Sequence, residues 1–253
     1  METGATVKEL LELETEINQM QEKLLKADEA ERVFFQNASH ELRTPLMSIS
    51  GYAQGIQRGV FEDTAQAAGV ILDESSRLTE VVDGILTLTR MDQLRYQVVP
   101  VEIGINEYVA DQLERLEGLA YQKKIKLEFF PGEEHTIISD VMLLSRAISN
   151  VISNCIRYGK TVVRVEVQEE ADFLVLKITD DGPGIPKEEL PHLFDRFYKG
   201  KNGNHGLGLS IARRSMEYMG GGIQAESSAE GAVFFIRLPQ DCRRFAVEEW
   251  EEV

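Results

Sequence analysis

The sequence predicts an α+β multidomain protein: an antiparallel helical hairpin that forms a dimeric four-helix bundle, followed by an α/β sandwich. Three observations predict it. Apolar residues recur at helical spacing on both sides of a turn near Gly59–Asp63. From about Tyr96 the period changes, and short β-branched or aromatic runs alternate with helical stretches. With 253 residues and 43% of them hydrophobic, the chain can bury two modest cores and is too apolar for global disorder.

The first element, from about Val7 to Asp28, reads as a helix. Leu10, Leu13, Ile17, Met20, Leu24 and Ala27 step alternately by three and four, with Glu and Lys around them. That is an a/d seam and predicts a parallel coiled coil, although the run is shorter than three or four heptads. One amphipathic helix packed on its own chain is the alternative. The next helix carries Phe34, Ala38, Leu42, Leu46 and Ile49 on one face. After the turn, a long helix from Thr64 to Met91 repeats Ile71, Leu78 and Ile85, and likewise Ala68, Ser75 and Val82, every seventh residue. Two antiparallel helices with one stripe each cannot bury both stripes alone. Pairing two hairpins does so, which predicts a homodimer.

Beyond a polar linker at Met91–Gln97, strands are expected at Gln97–Val101, Lys126–Phe130, Val162–Val167, Phe173–Ile178 and Ala232–Leu238. Helices are expected at Ile105–Gln122, Asp140–Tyr158 and Leu207–Met219. Such mixing gives an α/β sandwich. The expected organisation is therefore a coiled-coil helix over 1–30, a helical hairpin over 31–95, the sandwich over 96–240, and an acidic tail with Trp250 over 241–253.

Composition excludes several classes. The formal charge is −16, from 27 Lys and Arg against 43 Asp and Glu, which disfavours direct nucleic-acid binding. Cys155 and Cys242 are far apart, which excludes a disulfide framework and a cysteine zinc site and fits a reducing cytoplasm. No apolar run approaches the roughly 18 residues that span a bilayer, and no signal peptide is visible. If the parent protein has a membrane sensor, it lies outside these residues.

The segment Phe34–Leu46 reads FFQNASHELRTPL. At about 100° per residue, His40 points away from Ala38 and Leu42 and so faces outward. An outward histidine is ordinarily just solvated. Here Glu41 adjoins it and can accept the proton of one ring nitrogen, leaving the other free to attack phosphorus. Thr44 lies one turn along the same face. Pro45 removes a backbone donor inside a helical pattern and should kink the helix, at a cost of roughly 3 kcal/mol. Bending the helix around its core is the alternative. The segment resembles the H box of the histidine kinase family. That resemblance implies that His40 is the phospho-acceptor, Glu41 its general base, and Thr44 the holder of a water for the reverse, phosphatase reaction.

Further along, Asp140–Tyr158 places Asn150, Asn154 and Arg157 on one polar stripe of an otherwise apolar helix. Buried-side amides are costly without partners, and amide oxygens suit magnesium already carrying a triphosphate. Amides that tie the helix to neighbouring loops are the alternative. The stretch resembles the N box, which implies that Asn154 coordinates magnesium, Asn150 supports it, Arg157 reaches phosphate and Tyr158 packs near the base. Cys155 and Arg157 stand where alanine and lysine are usual. Asp180–Pro186 reads DDGPGIP after a strand and resembles the G1 box, with Asp180 reading adenine and Gly182, Gly184 and Ile185 in the pocket. Leu193–Gly200 resembles the F box, in which Arg196 and Lys199 are candidates for the γ-phosphate. Gly206, Leu207 and Gly208 open a helix whose amides suit phosphates, and resemble the G2 box. The lid before Gly206 is short, and His205 stands where threonine or serine is common; it is either a lid residue or a phosphate contact.

The order H, N, G1, F, G2 covers about residues 30–240. The resemblance implies a cytoplasmic sensor histidine kinase portion that uses ATP and Mg2+ to phosphorylate His40. It then passes the phosphoryl group to an aspartate of a response regulator receiver domain, and also dephosphorylates that regulator. Two alternatives stay open: an ATPase of the chaperone or topoisomerase type, and a phosphatase-dominant or scaffold form with weak autokinase activity.

Overall fold

In the computed structural model, residues 2–92, 96–170, 173–200, 206–228 and 230–245 are described. The chain divides into two compact units, Met1–Val81 and Val82–Val253.

The first unit is helical. One helix, α1, runs from Glu2 to Gln57, where two separate helices were expected. The join between them contains no glycine or proline, and Arg32 and Glu29 pair at 2.9 Å across one turn, so nothing interrupts the helix. It remains helical through Pro45, which is buried. The turn that follows contains Gly59 at φ +68°. Phe61 folds back to stack on Tyr52, with ring centroids 5.3 Å apart. Asp63 then caps α2 (Thr64–Asp92), its carboxylate accepting from the amides of Ala65 at 2.9 Å and Gln66 at 3.0 Å. Phe34, Ala38 and Ala67 are buried, whereas Leu46, expected on the same face, is exposed, as are Met47 and Leu72. A single hairpin covers only one side of each stripe. Leu13, Ile17, Met20 and Leu24 of the heptad seam are also exposed; the side chains of Leu10 and Ala27 lie outside the described residues.

The second unit begins with the last turns of α2. The expected linker starts too early, because Met91 is fully buried in the core of this unit and still helical. A small sheet pairs β1 (Pro100–Gly104) antiparallel to β3 (Thr136–Asp140). The main sheet contains β2 (Lys126–Phe130), β4 (Val162–Glu170), β5 (Phe173–Asp180), β6 (Gly222–Ser228) and β7 (Gly231–Pro239), in the order β2-β4-β5-β7-β6. Only β2 and β4 pair in parallel. Three helices pack as a layer, α3 (Ile105–Lys123), α4 (Val141–Tyr158) and α5 (Gly208–Tyr218), with α4 between the others and against the sheet.

α4 buries Leu143, Leu144, Ala147, Ile148, Val151, Ile152, Cys155 and Ile156, so most of its surface is core. Asp140 caps it and is itself buried. Its carboxylate accepts from the amides of Met142 and Leu143, both at 2.9 Å, from that of Val99 at 2.8 Å, and from the Tyr96 hydroxyl at 3.2 Å. Burial, followed by the Asp140 charge, pushes Tyr96 up to about 12. Residues 241–245, assigned by sequence to the tail, pack on this unit: Cys242 is buried and Ile138 bridges to Asp241. Trp250 lies outside the described residues.

Candidate active site

The acceptor segment is described within the first unit alone. His40 is exposed, two residues after buried Ala38, which puts it on the outer face of α1. Glu41 beside it is half-buried. The Thr44 hydroxyl donates to the His40 carbonyl at 3.3 Å, and the Ser39 hydroxyl to that of Phe35 at 2.8 Å. Pro45 has no N–H, so the Glu41 carbonyl lacks its helical donor. The local outcome is a histidine on an open face, with a carboxylate next to it and a hydroxyl one turn along.

The second unit gathers most of the remaining expected residues around the C-terminal half of α4. The Asn150 amide donates to the Arg146 carbonyl at 2.8 Å. Its oxygen faces the start of α5, where a Cβ on Gly208 would lie 2.7 Å away. Asn154, one turn along, is half-buried, and its side chain makes no hydrogen bond among the described residues. The two amide oxygens are therefore the hard donors available for a divalent cation. Arg157 is exposed in the last turn, and Tyr158 is half-buried, with burial raising its phenol above the usual range.

Asp180 ends β5 at 3% exposure. One oxygen accepts from the Gly182 amide at 2.8 Å and from that of Ala232 at 3.4 Å. Burial raises its pKa above the usual carboxylate value; those amides and the Cys155 thiol oppose the rise. Burial likewise pushes the Cys155 thiol well up, and the Asp180 charge adds to this. The adjacent Asp181 has a different part. Burial works against its ionisation, but hydrogen bonds from Thr161 and from the amides of Lys160 and Val162 outweigh that and hold it well below the carboxylate range. Asp181 fixes the α4–β4 turn, whereas Asp180 is turned inward, onto the amides of Gly182 and Ala232. Gly182 lies against the Tyr158 carbonyl. Gly184 and Ile185 sit under β6, where the Ser227 hydroxyl accepts from the Ile185 amide at 2.6 Å.

The last wall is the stretch from Leu193 to Gly208. Phe194 and Leu193 pack on the core. The Phe197 amide donates to the Gly206 carbonyl at 2.7 Å, closing the base of the loop between them. Gly206 has φ +68°, and a Cβ there would lie 2.4 Å from the Tyr198 carbonyl oxygen. Leu207 is buried at the N-cap of α5 and supplies no side-chain cap; among the described residues no side chain caps the first amides of α5, the kind of helix start that suits an anion. Lys199 is exposed near this loop. Arg196, expected at phosphate, is instead held by Asp92, with bonds of 2.7 and 2.8 Å. His205 lies outside the described residues. The sequence reading missed Asp181, Ser227 and Gly231. Gly231, at φ +141°, presses on the Asp180 carbonyl and signals itself only as a glycine in a hairpin turn.

A separate group, Glu133, His135 and Glu169, has ligand atoms within 4.8 Å of one another. Its residues are largely exposed, and His135 pairs with Glu169 at 3.5 Å. It lies at the end of β4 away from Asp180, since Val163 pairs with Asp180 and Glu169 with Leu174.

The chain thus joins a helical hairpin carrying an outward histidine to an α/β sandwich. Residues 30–94 match the His Kinase A (phospho-acceptor) domain. Residues 139–241 match the histidine kinase-, DNA gyrase B- and HSP90-like ATPase family. The chain is 33% identical over 227 residues to the sensor histidine kinase CssS of Bacillus subtilis, covering 88% of this chain and 50% of that protein. It is 30% identical over 241 residues to WalK of the same organism, covering 90% and 39%. Among solved structures, Acinetobacter baumannii histidine kinase AdeS superposes with a TM-score of 0.70 at 25% identity, covering 79% of this chain and 98% of that one. Histidine kinase ThkA, solved in complex with response regulator protein TrrA, shares the fold at a TM-score of 0.67 and 19% identity, over 81% of this chain and 60% of that one. The chain belongs to the histidine kinases of two-component systems, with a phospho-acceptor domain and an ATP-binding domain. It spans half or less of the length of these curated relatives. No helix among the described residues is long and apolar enough to cross a membrane.

Proposed function

We propose that the chain transfers the γ-phosphoryl group of Mg-ATP to His40 and then passes it to an aspartate of a response regulator receiver domain. One observation supports this reading: the outward His40 beside Glu41 lies in the segment that matches the phospho-acceptor domain, on a chain whose second unit brings Asn150 against Gly208 at the start of α5 and Gly182 against the Tyr158 carbonyl. Glu41 takes the proton of one imidazole nitrogen, and the other nitrogen attacks phosphorus in line with the departing ADP oxygen. Asp180 accepts from the adenine amino group, beside Gly182, Gly184, Ile185 and Tyr158. The free amides of Gly206, Leu207 and Gly208 at the start of α5 face the phosphates, with Arg157 and Lys199 at the rim. Asn154, with Asn150 behind it, fits magnesium, which neutralises charge on the phosphate oxygens when bound. The working organisation is an input helix over 1–30, the acceptor hairpin over 31–95 and the catalytic domain over 96–240. The exposed Leu13, Ile17, Met20, Leu24, Leu46 and Leu72 support a homodimer. Anchoring of the full-length protein to a membrane through a preceding sensor belongs to the same proposal.

Incubation with γ-labelled ATP tests the reading. The expected label is acid-labile and base-stable; steady ATP hydrolysis with no labelled protein would move the chain to the ATPase class. Asn154→Asp should weaken Mg-ATP binding about tenfold, because it adds a negative charge beside the triphosphate. Calorimetry showing unchanged affinity would return these amides to a purely structural role. Thr44→Ala should leave labelling of His40 intact. Thr44 lies one turn, about 6 Å along the axis, from His40, an offset wrong for assisting attack on ATP and suited to holding a water against a docked phospho-aspartate. Decay of labelled regulator should slow roughly tenfold, and equal decay rates would show that Thr44 is only a surface residue.

A further inference from the structure

We propose that Asp92 and Arg196 form a clasp that withholds Arg196 from the γ-phosphate, so that opening it is a regulated step of the reaction. This rests on the kinase reading above. The last turns of α2 belong to the same compact unit as the nucleotide pocket. They are seated by two tiers of contact. The apolar tier is fixed: Leu88 and Met91 are fully buried. Gly84 is also buried, and a Cβ on it would lie 3.0 Å from a Leu207 methyl and 3.5 Å from one of Ile211. The Tyr218 hydroxyl adds a hydrogen bond to the Met91 carbonyl. This tier places α2 directly on the residues that open α5.

The polar tier is exchangeable. Arg196 gives both arms of its guanidinium to Asp92, at 2.7 and 2.8 Å, and Arg214 stands 3.9 Å from the same carboxylate. The Arg196 and Asp92 side chains are each 36% exposed, so the pair is worth little more than a surface ion pair. Phosphate matches the same planar fork and carries more charge than a carboxylate. Arg196 also precedes Phe197, whose amide closes the loop base on Gly206. The fork is thus one residue from the phosphate-facing loop, and committed elsewhere. A γ-phosphate and Asp92 compete for it; the shorter ADP does not. The coupling is reciprocal, so whatever holds the clasp shut lowers affinity for ATP relative to ADP. α2 is one continuous helix from Thr64 to Asp92. Its last turns stay seated on α5, so the clasp opens when the Asp92 and Arg196 side chains part.

The test uses the full chain and two ligands, ADP and a non-hydrolysable ATP analogue, each with magnesium. Asp92→Asn should tighten the analogue about fivefold, the scale of a half-exposed ion pair, while ADP affinity stays unchanged. Labelling of His40 should quicken by a similar factor. Adding Arg196→Ala to Asp92→Asn should erase the gain. Equal changes for both ligands, no change for either, slower labelling, or a gain that persists without Arg196 would each overturn the clasp. A wild-type chain that binds neither nucleotide would overturn the kinase reading along with it.

Discussion

His40→Gln will bind the ATP analogue as the wild type does and will take up no label. The substitution removes the only nucleophilic nitrogen on the outer face of α1 near Glu41 while changing little else. His40 is exposed, and among the described residues its ring makes no ion pair or hydrogen bond that packing depends on. Glutamine favours a helix at least as well as histidine, so the melting temperature should hold. Labelling falls to background because the amide nitrogen of glutamine has no lone pair available for attack. The measurement is phosphor-imaging of the denatured protein after incubation with γ-labelled ATP, beside calorimetry on the same preparation. Acid-labile label at His40→Gln would place the acceptor on another residue. Loss of analogue binding as well would mean that His40 acts through folding rather than as nucleophile.

The motifs were legible because nucleotide chemistry restricts residue types locally. A polar stripe on an apolar helix, an acid at a strand end and glycines at a helix start are each visible within a few residues. What stayed hidden depends on distant partners. The two acids at 180 and 181 look alike in sequence; only the turn of residues 160–162, folded against Asp181, tells them apart. The partner of Arg196 is 104 residues away, so a basic residue in the F segment read as free for phosphate. The sequence predicts no strand at β3; its last residue, Asp140, reads as the start of α4 because it is also the cap of that helix. β6 is an edge strand with mostly exposed or half-exposed positions, so it lacks the apolar alternation that marks its neighbours. Met91 read as linker because the sequence around it turns polar, yet it is buried through contact with a unit whose strands begin later.

Gly208→Val should cost nucleotide binding roughly thirtyfold, about 2 kcal/mol, the middle of the range for forcing atoms into a filled contact. The cause is local. A Cβ at this position would lie 2.7 Å from Oδ1 of Asn150 and 3.5 Å from its Cγ. Asn150 cannot swing aside freely, since its amide nitrogen is tied to the Arg146 carbonyl at 2.8 Å. Either that hydrogen bond breaks and the Asn150–Asn154 stripe loses its alignment, or the first turn of α5 moves off α4. In the second case the first amides of α5 leave the position proposed for them against phosphate. The helix itself should survive, because Ile211, Ala212 and Met216 hold it in the core and Gly208 is only its first residue. The melting temperature should therefore fall by a few degrees at most. Gly222→Val is the control: nothing lies within 4 Å of a Cβ there, it is in strand β6, and valine suits a strand. Calorimetry with ADP and magnesium separates the two, with the control binding as wild type. Wild-type affinity at Gly208→Val would show that the close contact between Asn150 and the start of α5 relaxes without cost, and that the phosphates are held elsewhere in the pocket.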